Sequence, residues 1–312
     1  MRIVFMGTPE FAVPSLKALC EAGHEVVGVF TQPDRPKGRG NKVIASPVKM
    51  EAVKRGIPVY QPLRIRKDGV EDLRALAPDL CVTAAFGQIL SQEVLDIPRL
   101  GTINVHASLL PKHRGSAPIA WGILQGDKQA GITTMFTDKG IDTGDMLLKR
   151  SVDILPCETC GELTERLSHI GGELLIETLT ALENGTLERI PQDEAQMTYD
   201  PMLKKEMGIV DWTQPAQTIV NLIHGLNPWP SPSTAFEGGR LKLLKAEAAE
   251  GCGQPGEIII ADAKQGLVIA AGEGAVRVLM LQAPGGKPMK SKDYLRGHPM
   301  TVGAVLKEES NA

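Results

Sequence analysis

The first thirty residues restrict the fold more than any other part of the chain. Arg2 to Phe5 is a short continuous apolar run, Gly7 marks a turn, Phe11 to Ala22 carries a helical apolar pattern, and Glu25 to Phe30 is a second strand-like run. Strand, helix and strand at this spacing form a βαβ unit, which joins parallel strands and is right-handed in nearly all known cases. The turn after the first strand, Gly7-Thr8-Pro9-Glu10-Phe11, has one glycine where a dinucleotide fingerprint needs three. A Rossmann-like topology follows, without a nicotinamide cofactor. Further apolar runs at Asp79–Ala84, Thr102–His106, Ile132–Phe136 and Met146–Val152 extend the same sheet.

The chain has 312 residues, 42% of them hydrophobic and 23% charged, with a net charge of -3. Such a composition suits a soluble α/β protein and gives no global nucleic-acid signal, so any RNA contact must come from local patches. No apolar run approaches the roughly 20 residues of a spanning helix, and MRIVFMG reads as a first strand, since it lacks a small-residue cleavage site. The five cysteines are unevenly spread and form no disulfide framework, which points to a reducing, cytoplasmic setting. Cys157 and Cys160 form a CxxC, but no second pair stands elsewhere to complete a zinc site.

Chemistry concentrates at Gly101 to Pro118. In Thr102–His106, Asn104 and His106 share one face of a strand because strand side chains alternate. A carboxamide and an imidazole therefore point the same way, with Leu109, Leu110 and Pro111 as a stiff apolar wall beside them. Gly140 to Asp145, GIDTGD, places Asp142 in a glycine-bracketed turn from which it can face the imidazole and fix its tautomer. Asn104 can donate to a developing oxyanion, and His106 can donate or take a proton. Ser108 lacks a nucleophile elbow, and no HExxH spacing calls for a metal. Phe86 to Leu90 follows a strand's carboxyl end and is a candidate ligand loop, although Phe86 and Leu90 also fit a plain core role. Thr31 to Pro47 is read as a long loop whose Arg35, Lys37, Arg39 and Lys42 are placed to meet phosphate.

Residues 189–207, ending in Lys204-Lys205, have no sustained periodicity and are read as a linker. After a short helix at Gln217–Gly225 and the proline-rich Asn227–Ser233, five short runs between Ser233 and Gln282 alternate and are separated by turn signals. They indicate a small antiparallel barrel. The expected organisation is thus a catalytic domain over 1–188, a linker over 189–207 and a barrel over 208–312.

Taken together, N-x-H in a strand, SLLP, Lys112-His113-Arg114-Gly115 and GxDTGD resemble the folate-dependent formyltransferases. FMGTPEFAV, TQPDRPKGRG, Asp211-Trp212 and NPWP (Asn227 to Pro230) are similar to the branch of that family that acts on a charged tRNA. The resemblance covers nearly the full length. It implies a Rossmann-like catalytic domain followed by an OB-like barrel that meets tRNA. It also implies 10-formyltetrahydrofolate as formyl donor, initiator methionyl-tRNA as acceptor, no metal, and a monomeric enzyme of translation initiation. Asn104, His106 and Asp142 match the family's catalytic set. Ser108, Leu109, Leu110 and Pro111, with Phe86, Gly87, Gln88, Ile89 and Leu90, would line the folate site. Arg35, Lys37, Arg39, Lys42, Lys204 and Lys205 would meet tRNA. A cis Leu110–Pro111 bond is expected on the same grounds. His113 stands where the family often carries an aromatic residue. Formyl transfer to a sugar amine or to glycinamide ribotide is the nearest rival; the barrel and the basic loop favour the larger acceptor. A folate hydrolase and a non-catalytic RNA-binding barrel are the other readings.

Overall fold

The computed structural model describes residues 1–37, 42–236 and 239–306. In chain order the elements begin with β1 (Arg2–Gly7), α1 (Val13–Glu21), β2 (Glu25–Phe30), β3 (Arg35–Lys37), β4 (Lys42–Ile44), α2 (Pro47–Lys54) and β5 (Val59–Tyr60). They continue with α3 (Ile65–Asp68), α4 (Val70–Leu76), β6 (Leu80–Ala84), α5 (Gln92–Leu95), β7 (Thr102–His106), β8 (Arg114–Gly115), α6 (Pro118–Gln125), β9 (Gln129–Phe136) and β10 (Met146–Asp153). Then come α7 (Cys160–Glu183), β11 (Tyr199–Asp200), α8 (Ala216–Gly225), β12 (Ser233–Phe236), β13 (Gly239–Ala249), β14 (Ile258–Asp262), β15 (Gly266–Ala270), β16 (Ala275–Gln282), β17 (Met289–Lys290) and α9 (Ser291–Gly297). Two compact units result: Met1–Gly115, Ala130–Val152 and Thr164–Asp200, and Ser116–Gln129, Asp153–Leu163 and Pro201–Ala312.

The first unit is built on a seven-stranded sheet of order β10-β9-β7-β6-β1-β2-β5. The five strands from β5 to β7 are parallel, and β9 runs antiparallel to β7. β1 and β6 read as unbroken apolar runs because central parallel strands are covered on both faces. Ile3, Val4, Phe5, Met6, Leu80, Cys81 and Val82, with Phe30, Ile65 and Leu73, are fully buried. Close approach explains several glycines. A Cβ on Gly7 would lie 2.8 Å from both Ala12 and the Phe5 ring, and one on Gly171 would lie 2.9 Å from Val105. In this way α7 packs directly on the strand that carries Asn104 and His106. Because β2 and β6 flank β1 on opposite sides, the carboxyl ends of β1 and β6 frame the crevice in which α/β sheets bind ligands.

The second unit has a six-stranded antiparallel sheet along β12-β13-β16-β15-β14, with β17 added to β16, forming a half-barrel. Its five main strands lie where the alternating runs placed them. Val210, Trp212, Ile219, Ile223, Leu241, Leu267 and Val278 are part of one core, with α8 and α9 contributing. The Trp212 indole N–H is satisfied by Thr234 Oγ1 at 3.1 Å.

Three features differ from the sequence reading. Thr31 to Pro47 is not a plain loop: Arg35–Lys37 and Lys42–Ile44 pair as an antiparallel ribbon. Residues 189–200 fold with the first unit, since Ile190 and Met146 exchange two backbone hydrogen bonds of 2.9 Å and β11 pairs with β8. Helix α6 and residues 153–163, expected within 1–188, belong to the second unit. There Gly161 N–H donates to Asn227 C=O at 3.0 Å, and a Cβ on Gly225 of α8 would lie 3.0 Å from Ala120 C=O of α6. The expected boundaries at 188 and 208 therefore do not coincide with the two units.

Candidate active site

Asn104 and His106 stand at the carboxyl end of β7, on one face as the alternation required. Thr83, opposite Asn104 in the β6–β7 register, donates from its hydroxyl to Asn104 Oδ1 at 3.0 Å. That bond fixes the carboxamide and leaves Nδ2 as the end that donates to a ligand. The His106 ring is buried, with 6% of its surface exposed. Its Nε2 lies 3.0 Å from the His113 carbonyl oxygen, which can only accept, so Nε2 carries the hydrogen. Nδ1 lies 3.6 Å from Asp142 Oδ1. Each ring nitrogen therefore faces an acceptor, and a proton taken up at Nδ1 meets a carboxylate.

Asp142 reaches this position from a turn that needs its glycines. Its own φ is 55°, in the left-handed region that Asp tolerates better than most residues. A Cβ on Gly140 would collide with Thr143, and one on Gly144 with the Phe136 carbonyl. Asp138 closes the turn by accepting from Gly140 N–H at 3.0 Å and from the Thr143 hydroxyl at 2.6 Å. The second Asp142 oxygen accepts the Gly115 N–H at 2.9 Å. The pair that the sequence suggested is thus assembled, with Asn104 on the same strand end.

The SLLP segment is only partly a free wall. Ser108 is buried and donates to the Lys112 carbonyl at 2.7 Å, so its hydroxyl is committed. Leu110 is 1% exposed and packs with Met135 and Met146, which leaves Leu109 and Pro111 half-buried. Thr133 threads the turn, donating to Ser108 C=O at 2.7 Å and accepting from Leu110 N–H at 3.2 Å. Leu110–Pro111 is cis, as expected. Lys149 Nζ donates to the Leu110 carbonyl, and burial pushes this ammonium below the usual lysine range.

A cleft of ≈ 1060 Å³ opens at the carboxyl ends of β1, β2 and β6, at the strand-order reversal. Gly87, Gln88 and Ile89 line it, and Ile89 is 68% exposed. Phe86 and Leu90 instead lie in the core with Val4, Met6 and Phe30, so only the middle of the Phe86–Leu90 loop faces the cleft. Gln88 ties that loop down by accepting from Ile65 N–H at 2.6 Å and donating to Pro62 C=O at 3.0 Å. Arg35, Arg64 and Arg66 give the cleft positive charge. Nearby, hydrogen bonds from Lys49 and Gln61 hold the Asp34 carboxyl below its ordinary value. Lys37 and Lys42 stand opposite each other in the ribbon. Arg39 lies outside the described residues. Lys204 and Lys205 are exposed on the second unit.

Sequence reasoning missed the layer behind the site. Arg114, 2% exposed, pairs with Glu194 at 2.7 and 3.1 Å, and its Nε donates to Gln192 Oε1 at 2.9 Å. His113 Nδ1 lies 2.8 Å from Asp200 Oδ2. The one available signal was chemical: the polar residues Gln192, Glu194, Thr198 and Asp200 stand in a stretch with no periodicity to explain them. Cys157 points its thiol at the Ala246 carbonyl, 3.7 Å away. Among the described residues no group of three or more His, Cys, Asp or Glu is placed to hold a metal ion.

A strand-end Asn and His facing a turn Asp suits transfer of a small acyl group; none of the three lines the cleft, which opens at the carboxyl ends of β1, β2 and of β6, the neighbour of β7. Residues 1–179 match the formyl transferase family, and residues 202–299 match the formyl transferase C-terminal domain. The chain belongs to the formyl transferase family. This formyl transferase is 51% identical over 307 residues to a methionyl-tRNA formyltransferase of Geobacter metallireducens, with 98% of each chain covered. It is 48% identical to another of Ruminiclostridium cellulolyticum, covering 98% of this chain and 99% of that one. Solved structures share the fold. An N-formyltransferase from Helicobacter canadensis, in complex with folinic acid and dTDP-3-aminofucose, superposes with a TM-score of 0.67 at 18% identity, covering 89% of this chain and 98% of that one. HypX from Aquifex aeolicus, in complex with tetrahydrofolic acid, gives 0.62 at 21% identity, covering 95% of this chain; the formyl transferase spans about half of that longer protein, 47%.

Proposed function

We propose that this chain transfers the formyl group of 10-formyltetrahydrofolate to the α-amine of initiator methionyl-tRNA, yielding formylmethionyl-tRNA for translation initiation. The near-full-length identity to methionyl-tRNA formyltransferases carries this reading, and the Asn104, His106 and Asp142 geometry supplies its chemistry. The uncharged amine attacks the formyl carbon. Asn104 Nδ2 donates to the tetrahedral oxyanion, the charge that develops only along the reaction path, and the positive charge of a protonated His106, both of whose nitrogens face protein acceptors, stabilises it through space. Asp142 meets the charged form of His106 and assists transfer of the proton from the amine to N10 of the departing folate. Leu109 and Pro111, with Gly87, Gln88 and Ile89, are proposed to hold the folate and keep water from the formyl carbon. The backbone of Phe86 and Leu90, and the turn built by Ser108 and Leu110, support that surface.

Arg35, Lys37, Arg39 and Lys42 are proposed to meet the acceptor end of the tRNA, with Lys204 and Lys205 contributing from the second unit. The half-barrel is proposed as the tRNA-binding domain. Among the described residues no helix is long and apolar enough to cross a membrane. We place the enzyme in the cytoplasm as a monomer, where initiator tRNA is charged. Purified chain with the folate donor and charged initiator tRNA tests the reading: formylated methionyl-tRNA supports it, and formylation of a sugar amine in its place would replace it.

A further inference from the structure

Two backbone atoms of one short segment meet both members of the His–Asp pair. His113 C=O accepts from His106 Nε2 at 3.0 Å, and Gly115 N–H donates to Asp142 Oδ2 at 2.9 Å. The separation of imidazole and carboxylate is therefore only as fixed as residues 113–115, which form a strand too short to hold itself. That strand is held from residues 192–200. His113 N–H donates to Thr198 Oγ1 at 2.7 Å, Arg114 N–H donates to Thr198 C=O at 2.9 Å, and β11 pairs alongside. Gly115 is required there, because its φ is 114° and a Cβ would collide with the Asp200 carbonyl.

Gln192 links this strand to the turn that bears Asp142. Its Oε1 accepts from Arg114 Nε at 2.9 Å, while its Nε2 donates to the Asp142 and Gly144 carbonyls at 2.8 Å each. One planar group must accept on one side and donate two hydrogens on the other, which only a carboxamide does. Asparagine is shorter by one methylene, glutamate has no donor, and lysine has no acceptor. We infer that Gln192 is a positioning residue for formyl transfer, setting the His106–Asp142 geometry by tying the Asp142 turn to the His113–Gly115 strand. The inference rests on the formyl-transfer reading above. The residue touches neither reacting group, so its effect falls on the rate of the bound complex and not on substrate affinity.

The test uses the full chain as wild type, Gln192→Met, Thr198→Val and a control, Gln196→Met. Gln196 donates to Asp193 within the same segment, at 2.8 Å. Steady-state transfer from 10-formyltetrahydrofolate to initiator methionyl-tRNA is measured beside the imidazole nitrogen NMR signals of His106. In Gln192→Met, kcat falls about 10- to 100-fold, KM for both substrates stays within about two-fold, and the His106 signals shift. Thr198→Val moves in the same direction and carries the test if Gln192→Met does not fold, while Gln196→Met matches wild type. A folded Gln192→Met with wild-type kcat and unshifted His106 signals would overturn the inference. Misfolding of both Gln192→Met and Thr198→Val would overturn it too, since the segment would then serve the fold alone. If wild type transfers no formyl group, the functional reading fails, and the NMR comparison still decides whether Gln192 sets the pair.

Discussion

At the scale of single residues, the site works by giving each polar atom one task. His106 has an acceptor at each nitrogen, and Asn104 has its oxygen tied to Thr83 so that its amide donates. His106→Ala and Asp142→Ala are expected to melt near the wild-type temperature and to lose ~10²-fold or more in kcat, the scale of a lost acid–base or oxyanion group. Transfer near the wild-type rate by either variant would remove the mechanism. Thr83→Val keeps the shape and frees the carboxamide, and should cost about 10-fold in kcat; single-turnover rates at saturating substrate measure it. The placing of Asn104 and His106 on one strand face and of Asp142 in a turn was legible because strand alternation and a glycine-bracketed turn are local patterns. Gln192 was not, because it meets Asp142 across 50 residues of chain, and no periodicity announces such a contact.

At the scale of elements, apolar runs named the strands of the first sheet and all but β17 of the second, since buried strands must be apolar whatever their partners. Elements with little burial escaped that logic. The β3–β4 ribbon is charged and contains Pro36, and α9 is a short stretch of Lys, Asp and Arg around Tyr294 and Leu295. The allegiance of α6 to the second unit was illegible for a different reason: its apolar face says that it packs, not on what. The basic stretch around Arg39 gives a separable prediction. Arg39→Ala should raise KM for methionyl-tRNA in a salt-dependent way and leave the folate KM unchanged, because phosphate contacts supply salt-sensitive binding. An unchanged tRNA KM would exclude Arg39 from tRNA recognition.

At the scale of the whole molecule, a net charge of -3 leaves RNA contact to local cationic groups such as those of the cleft. Acid stability is set in part by His224, buried in the second unit, whose Nε2 accepts the Ala246 N–H at 3.3 Å. Burial first, and then the charge of Lys245, hold its imidazole below the ordinary 6.5. The unfolded chain therefore takes up this proton first as pH falls. The contribution of neutral His224 is complete above about 6.5 and is lost as pH drops through its lower folded value. Melting temperature between pH 8 and 5 should fall more steeply in wild type than in His224→Gln, which keeps an acceptor that does not titrate in this range; parallel curves would contradict this. The central claim is formyl transfer to a charged tRNA by a non-covalent His–Asp–Asn site. It is tested most directly by mixing the chain with 10-formyltetrahydrofolate, with and without initiator methionyl-tRNA, and following tetrahydrofolate release and formylmethionyl-tRNA together. The account predicts equal amounts of both products with the tRNA and negligible folate release without it. Equal folate release in the absence of tRNA, or a tRNA left unformylated, would contradict it.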